Sequence, residues 1–159
     1  VTGIDELAER VIAKARQSGR TVATGESLTA GWVASALSSV PGASAVLRGG
    51  VIAYQPDLKR DVLGVTEGAL AHGLVSEEVA IEMAQGALLR MGADFGVGTT
   101  GVAGPDPHDG AAVGSVWIAI VGGGKERSAH FQFTGDRQAI RGSAVLEALR
   151  LLDGELARE

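Results

Sequence analysis

Cysteine is absent from this 159-residue chain. That excludes disulfide scaffolds, thiolate zinc sites and cysteine nucleophiles. Long apolar runs are missing as well. The longest, Val113 to Val121, is nine residues and contains Gly114 and Ser115, far short of the roughly 18 or more needed to cross a bilayer. No charged-then-apolar leader opens the chain, since Asp5, Glu6 and Glu9 fall within its first ten residues. Together these features set the expectation of a cytoplasmic protein with no membrane partner. Basic charge is scarce: 14 Lys+Arg stand against 19 Asp+Glu, a net −5, with an isoelectric point near 5.2. Nothing in that balance attracts nucleic acid or an anionic surface. The three histidines, His72, His108 and His130, show no H-E-x-x-H or H-x-x-x-H spacing. The sequence therefore calls for no metal and no cofactor.

Hydrophobic residues make up 45% of the chain and charged ones 21%, an ordinary globular balance. The length fits one domain over residues 1–159, able to bury about 70% of its unfolded surface. Glycine is the exception: 24 residues, roughly twice the usual share, gathered where predicted elements end. Ile4, Leu7, Ala8, Val11, Ile12 and Ala15 recur at helical spacing, with Gly19 as the stop. Thr21 to Thr24 reads as a short strand, Trp32 to Leu37 as a helix, and the segment from Gly50 to Tyr54 as a strand. Pro56 opens a short helix. Ser76 caps a longer one striped by Val79, Ala80, Met83, Ala84, Ala87, Leu88 and Met91. Phe95 to Thr99 is a strand. Val113 to Val121 and Arg127 to Phe133 flank Gly122-Gly123-Gly124 as a hairpin, and Asp136 caps a final helix. Early alternation and a late hairpin predict an α/β fold, a three-layer αβα sandwich on a mixed sheet.

Four segments carry the candidate chemistry. Thr24 to Gly31 joins a strand to a helix; Ser27 there is either a helix cap or a nucleophile whose oxyanion the following amides would stabilise. In Tyr54-Gln55-Pro56-Asp57-Leu58-Lys59, Gln55 as cap puts Tyr54 and Lys59 where side chains commonly touch. Lys59 is then either a snorkelling surface lysine or a base made neutral by burial or by a cationic neighbour, Arg60 or Arg48. Gly98 to Asp106 is a glycine loop suited to ribose or phosphate, without the G-K-[ST] of a P-loop. Arg137 and Arg141 stand one helical turn apart and fork onto a phosphate, or else pair with acids. Asp106, His108 and Asp109 form a polar loop or, alternatively, a metal or triad cluster.

Taken together, these segments resemble the CinA C-terminal domain family, the nicotinamide-nucleotide amidohydrolases. The likeness runs from about Leu7 to Leu152. It includes A-x-x-E-S-[CL]-T-x-G as Ala23 to Gly31, x-Y-x-x-x-x-K as Ala53 to Lys59, His72 to Ser76, [ST]-G-x-A-G-P as Thr100 to Pro105, and Gly135-Asp136-Arg137. Two departures stand out: Ala30 replaces a usual glycine, and Pro56 takes a commonly polar place. The resemblance implies hydrolysis of nicotinamide mononucleotide to nicotinate mononucleotide and ammonia. Ser27 would be the nucleophile and Tyr54 and Lys59 its activators. Glu26, Thr29, Gly31, Thr100, Gly101, Ala103, Gly104, Arg137 and Arg141 are the expected substrate-binding residues. It further implies a stand-alone form lacking the family's molybdopterin-binding-like domain, and a homodimer for which an alanine-rich helix face is a candidate interface. The competing expectations are a nucleotide-sensing or competence-associated module without turnover, and a serine hydrolase that uses His108.

Overall fold

The computed structural model describes residues 2–158. Six helices and five strands follow one another as α1 (Thr2–Ser18), β1 (Val22–Glu26), α2 (Trp32–Ser38), β2 (Leu47–Ile52), α3 (Pro56–Asp61), α4 (Glu67–Ala71), α5 (Glu77–Met91), β3 (Phe95–Gly101), β4 (Ser115–Gly122), β5 (Lys125–Gln132) and α6 (Arg137–Leu156). The strands form one sheet in the order β2-β1-β3-β4-β5. β1 is parallel to β2 and β3, while β4 and β5 run antiparallel as a hairpin. Helices α1, α2 and α6 cover one face through Val11, Leu37 and Leu149 on Val97, Val116 and Ile118. Helix α5 covers the other, with Met83 and Val79 near Ala23 and Ala80 and Ala84 against Ala119. The mixed-sheet αβα sandwich expected from the alternation is the fold observed.

Local chemistry explains most boundaries. The Ser76 hydroxyl accepts the Val79 amide at the start of α5, and Asp136 accepts the Ala139 amide at the start of α6. Gln55 is the cap of α3 with Pro56 in its first position, where proline's fixed φ and missing N–H suit the helix. Gly123 and Gly124 form the two-residue β4–β5 turn, both at positive φ, as a right-twisted hairpin demands. β1 and β3 extend further than predicted, whereas β2 stops at Ile52, short of Tyr54. β1 runs on to Glu26 through parallel pairing with β2 and β3, and β3 to Gly101 because Thr100 and Gly101 pair antiparallel with Trp117 and Val116 of β4, long-range hydrogen bonding that no local pattern announces.

Helix α5 lies unusually close to the sheet. A methyl group on Gly96 would run into the Ala84 carbonyl, and one on Gly98 into the Ala80 carbonyl. The alanines of α5 lie in this contact: Ala80, Ala84 and Ala87 are fully buried. Small side chains on both surfaces let the layers approach.

This topology sets where a site can form. β1, β2, β3 and β5 all end on the same edge of the sheet. From β1 the chain leaves toward β2, and from β3 toward β4, so the crevice between the ends of β1 and β3 is a topological switch point, the usual ligand position in open α/β sheets. Among the described residues no helix is long and apolar enough to cross a membrane.

Candidate active site

Ser27 is the first residue beyond β1. Its amide donates to the Thr99 carbonyl at 3.0 Å, tying the end of β1 to β3. The helix it precedes begins only at Trp32, capped by Gly31 at φ 91°, so Ser27 is not the helix cap. The capping work belongs to Glu26. Its carboxylate, wholly buried, accepts the Val33 and Ala34 amides at 2.9 and 3.0 Å and the Thr24 and Thr29 hydroxyls at 2.9 and 2.7 Å. Four donors compensate the removal of that carboxylate from water. The Thr29 hydroxyl also meets the Thr99 hydroxyl at 2.8 Å. Glu26, Thr29 and Gly31 thus sit behind the cleft, supporting the turn rather than lining it.

Lys59 points inward from α3, only 2% exposed. Its Nζ lies 3.1 Å from Ser27 Oγ, 2.9 Å from the Ala53 carbonyl and 3.0 Å from the Tyr54 carbonyl. Burial lowers its pKa from 10.5 to about 8, because desolvation penalises the ammonium. No arginine helps: Arg60 pairs with Asp61 and Glu67, and Arg48 bonds the Met91 carbonyl. In the neutral amine, two N–H bonds serve the two carbonyls and the lone pair is left facing Ser27 Oγ. That geometry fits a general base for the hydroxyl.

Tyr54 takes a different place from the one expected. Lysine meets its main-chain carbonyl, while its half-exposed phenol accepts Arg137 Nη2 at 2.8 Å. Arg137 Nη1 donates to the Gly104 carbonyl at 2.6 Å. The arginine therefore bridges the α3 entrance and the glycine loop across the mouth of the cleft. Arg141, one turn on, goes elsewhere. Its Nε and Nη2 donate to the Leu28 and Thr29 carbonyls at 2.9 and 3.2 Å, and its guanidinium lies 5.6 Å from the centre of the Trp32 ring. The two arginines do not converge on one anion.

Ser27, Lys59, Tyr54, Thr100, Gly101, Ala103, Gly104 and Arg137 surround one cavity of about 300 Å³, at the lower end of the range for small-ligand sites. Leu28, Leu74, Val75 and Val102 give it an apolar wall. Leu74 is held at both ends of its backbone: its carbonyl accepts the Thr100 hydroxyl at 2.7 Å, and its amide donates to Asp109 at 2.5 Å. That clasp was not foreseen. Asp109 stands at positive φ beside Gly110, a turn signal, but its partner is a distant backbone amide that no spacing reveals. His108 is exposed on the cavity rim, and the hydroxyl of Ser27 is met by the amine of Lys59. Among the described residues, Asp106, His108 and Asp109 belong to no cluster able to hold a metal.

With this geometry in hand, comparison with known proteins is decisive. The sequence matches the CinA C-terminal domain over residues 4–156. The chain belongs to that family. It is 47% identical over 154 residues to a CinA-like protein of Anaeromyxobacter sp. (94% of this chain, 37% of that protein). A CinA-like protein of Frankia casuarinae is 42% identical over 154 residues (96% and 36%). The chain thus spans little more than a third of the length of these curated relatives. Among solved structures, the competence/damage inducible protein CihA of Agrobacterium tumefaciens superposes with a TM-score of 0.92 at 38% identity, covering 96% of this chain and 94% of that one. A CinA superfamily protein of Klebsiella pneumoniae gives 0.94 at 35%, covering 98% and 99%. In this CinA domain the cavity between the ends of β1 and β3 is the candidate site, and Ala30, in the turn that follows Ser27, takes left-handed backbone at φ 48°.

Proposed function

We propose that this CinA domain is a serine amidohydrolase that converts nicotinamide mononucleotide to nicotinate mononucleotide and ammonia. The observation that carries the reading is the 3.1 Å contact between Lys59 Nζ and Ser27 Oγ, with the lysine pKa lowered to about 8. Near pH 7 about a tenth of such lysines are neutral, a working supply of base without imidazole or metal. Ser27 Oγ attacks the carboxamide carbon and its proton passes to Lys59. The tetrahedral species collapses as its C–N bond breaks, and Lys59 returns the proton to the departing nitrogen, releasing ammonia. Water then attacks the acyl ester as Lys59 takes its proton; the bond from the acyl carbon to Ser27 Oγ breaks, and Lys59 returns the proton to Oγ, regenerating the serine hydroxyl and the neutral amine. The amides after Ser27 face the oxyanion. The pyridine ring packs on the apolar wall of Leu74 and Val75, and Thr100 to Gly104 borders the ribose. Arg137, at the rim, meets the phosphate. Tyr54, oriented by Arg137, contacts the substrate from the same rim.

An ammonia-release assay with nicotinamide mononucleotide, with and without chelator, tests this. Turnover indifferent to chelator supports the reading. Saturable binding without ammonia overturns it in favour of a nucleotide-sensing module.

A further inference from the structure

The turn from Ser27 to Gly31 carries the nucleophile, and its backbone is under strain. Ala30 is left-handed at φ 48° and Gly31 follows at 91°; the former costs a residue with a Cβ roughly 1–2 kcal/mol. Such a turn persists only where its surroundings hold it. Two charged side chains hold it, neither lining the cavity. Glu26 takes donors from within: the Thr29 hydroxyl and the first amides of α2. Arg141 takes acceptors from without: the Leu28 and Thr29 carbonyls. Its remaining nitrogen, Nη1, donates to Gln138 Oε1 at 3.1 Å, and the Trp32 ring backs the guanidinium plane. All three guanidinium nitrogens are engaged with the protein, and the side chain is absent from the cavity wall.

We propose that Arg141 is a positioning residue for Ser27, fixing the peptide planes of the nucleophile turn rather than binding the substrate phosphate. The inference rests on Ser27 being the nucleophile. A trans peptide is planar, so its C=O and N–H point opposite ways. By drawing the Leu28 carbonyl to its own side, Arg141 turns the Thr29 N–H away from itself. By drawing the Thr29 carbonyl, it fixes the next plane, whose Ala30 N–H closes onto the Ser27 carbonyl at 3.0 Å. A planar fork of donors can hold two successive carbonyls, which a single ammonium does less well.

The test compares Arg141→Met and Arg141→Lys with the wild type in three readouts: melting temperature, kcat and KM on nicotinamide mononucleotide and nicotinamide riboside, and the rate at which a small fluorophosphonate phosphonylates Ser27. The expected result for Arg141→Met is a loss of roughly 10²-fold in kcat on both substrates, the scale of a misplaced reacting group. KM should hold on both, with a parallel fall in phosphonylation. Arg141→Lys should recover part of each rate. A rise in KM confined to the phosphorylated substrate, with kcat kept, overturns the proposal in favour of phosphate binding. Unchanged kinetics overturn it too, as does failure of both variants to fold. Absence of wild-type turnover with intact phosphonylation removes the proposed substrate alone, and the phosphonylation rates still decide the role of Arg141.

Discussion

Lys59 Nζ and Ser27 Oγ stand 3.1 Å apart although 32 residues separate them in the chain. The contact is produced by the sheet. Adjacent parallel strands β1 and β2 end on one edge, Ser27 follows the first, and α3 begins four residues after the second, turning Lys59 back under the β2 end. The two carbonyls of Ala53 and Tyr54 then aim the amine at the hydroxyl.

A buried base should reveal itself in pH dependence. The rate of acylation should rise with pH as one proton leaves Lys59, with its midpoint near 8, and level off above it. Lys59→Met should remove this limb and lower kcat by about 10²–10⁴-fold. A wild-type profile flat from pH 6 to 9 would separate Lys59 from the chemical step.

The same group links pH to stability. Between about 8 and the ordinary lysine value of 10.5, the unfolded chain binds a proton that the native protein lacks. Stability therefore rises with pH across that window, and the destabilising effect of the lysine is fullest below it. Denaturant unfolding of the wild type and of Lys59→Met at pH 7, 9 and 10.5 measures the difference. The wild type should gain on the variant as pH rises.

Glu26 should behave as a support for the turn. In Glu26→Gln one amide nitrogen must face donors, either Thr29 and Val33 or Thr24 and Ala34. The mismatch should cost about 1–3 kcal/mol and lower kcat more than it raises KM. Thermal unfolding and steady-state kinetics check both. An effect on KM alone would mean the carboxylate reaches the substrate.

Ala30→Gly removes the Cβ from a left-handed residue. Relief of that strain, less the greater freedom of glycine in the unfolded chain, should stabilise the protein by roughly 0.5–1 kcal/mol. Chemical denaturation measures it; a loss of stability would mean the turn tolerates the alanine without strain.

What was legible in the sequence was what is decided locally. The caps at Ser76 and Asp136, the Gln55–Pro56 entry to α3 and the double-glycine hairpin each depend on atoms within a few residues. So the element order and layer architecture could be read directly. The short α4, capped by Thr66, offered too few residues for a periodic signal. At the site, side-chain identity was legible and side-chain partnership was not. Glu26 works on amides seven and eight residues ahead, Lys59 on main-chain carbonyls, and Arg141 on two more. Backbone groups carry no residue code, so their use as partners emerges only when the chain is folded. The Arg137–Arg141 pair shows the same limit: helical spacing put both on one face, yet one bonds the glycine loop and the other the turn that follows Ser27.

Replacing Ser27 tests the central claim most directly. Ammonia release from nicotinamide mononucleotide by Ser27→Ala should fall by roughly 10⁴-fold or more, with melting temperature preserved because only one oxygen is lost. Near-normal release by the folded variant would contradict the covalent mechanism.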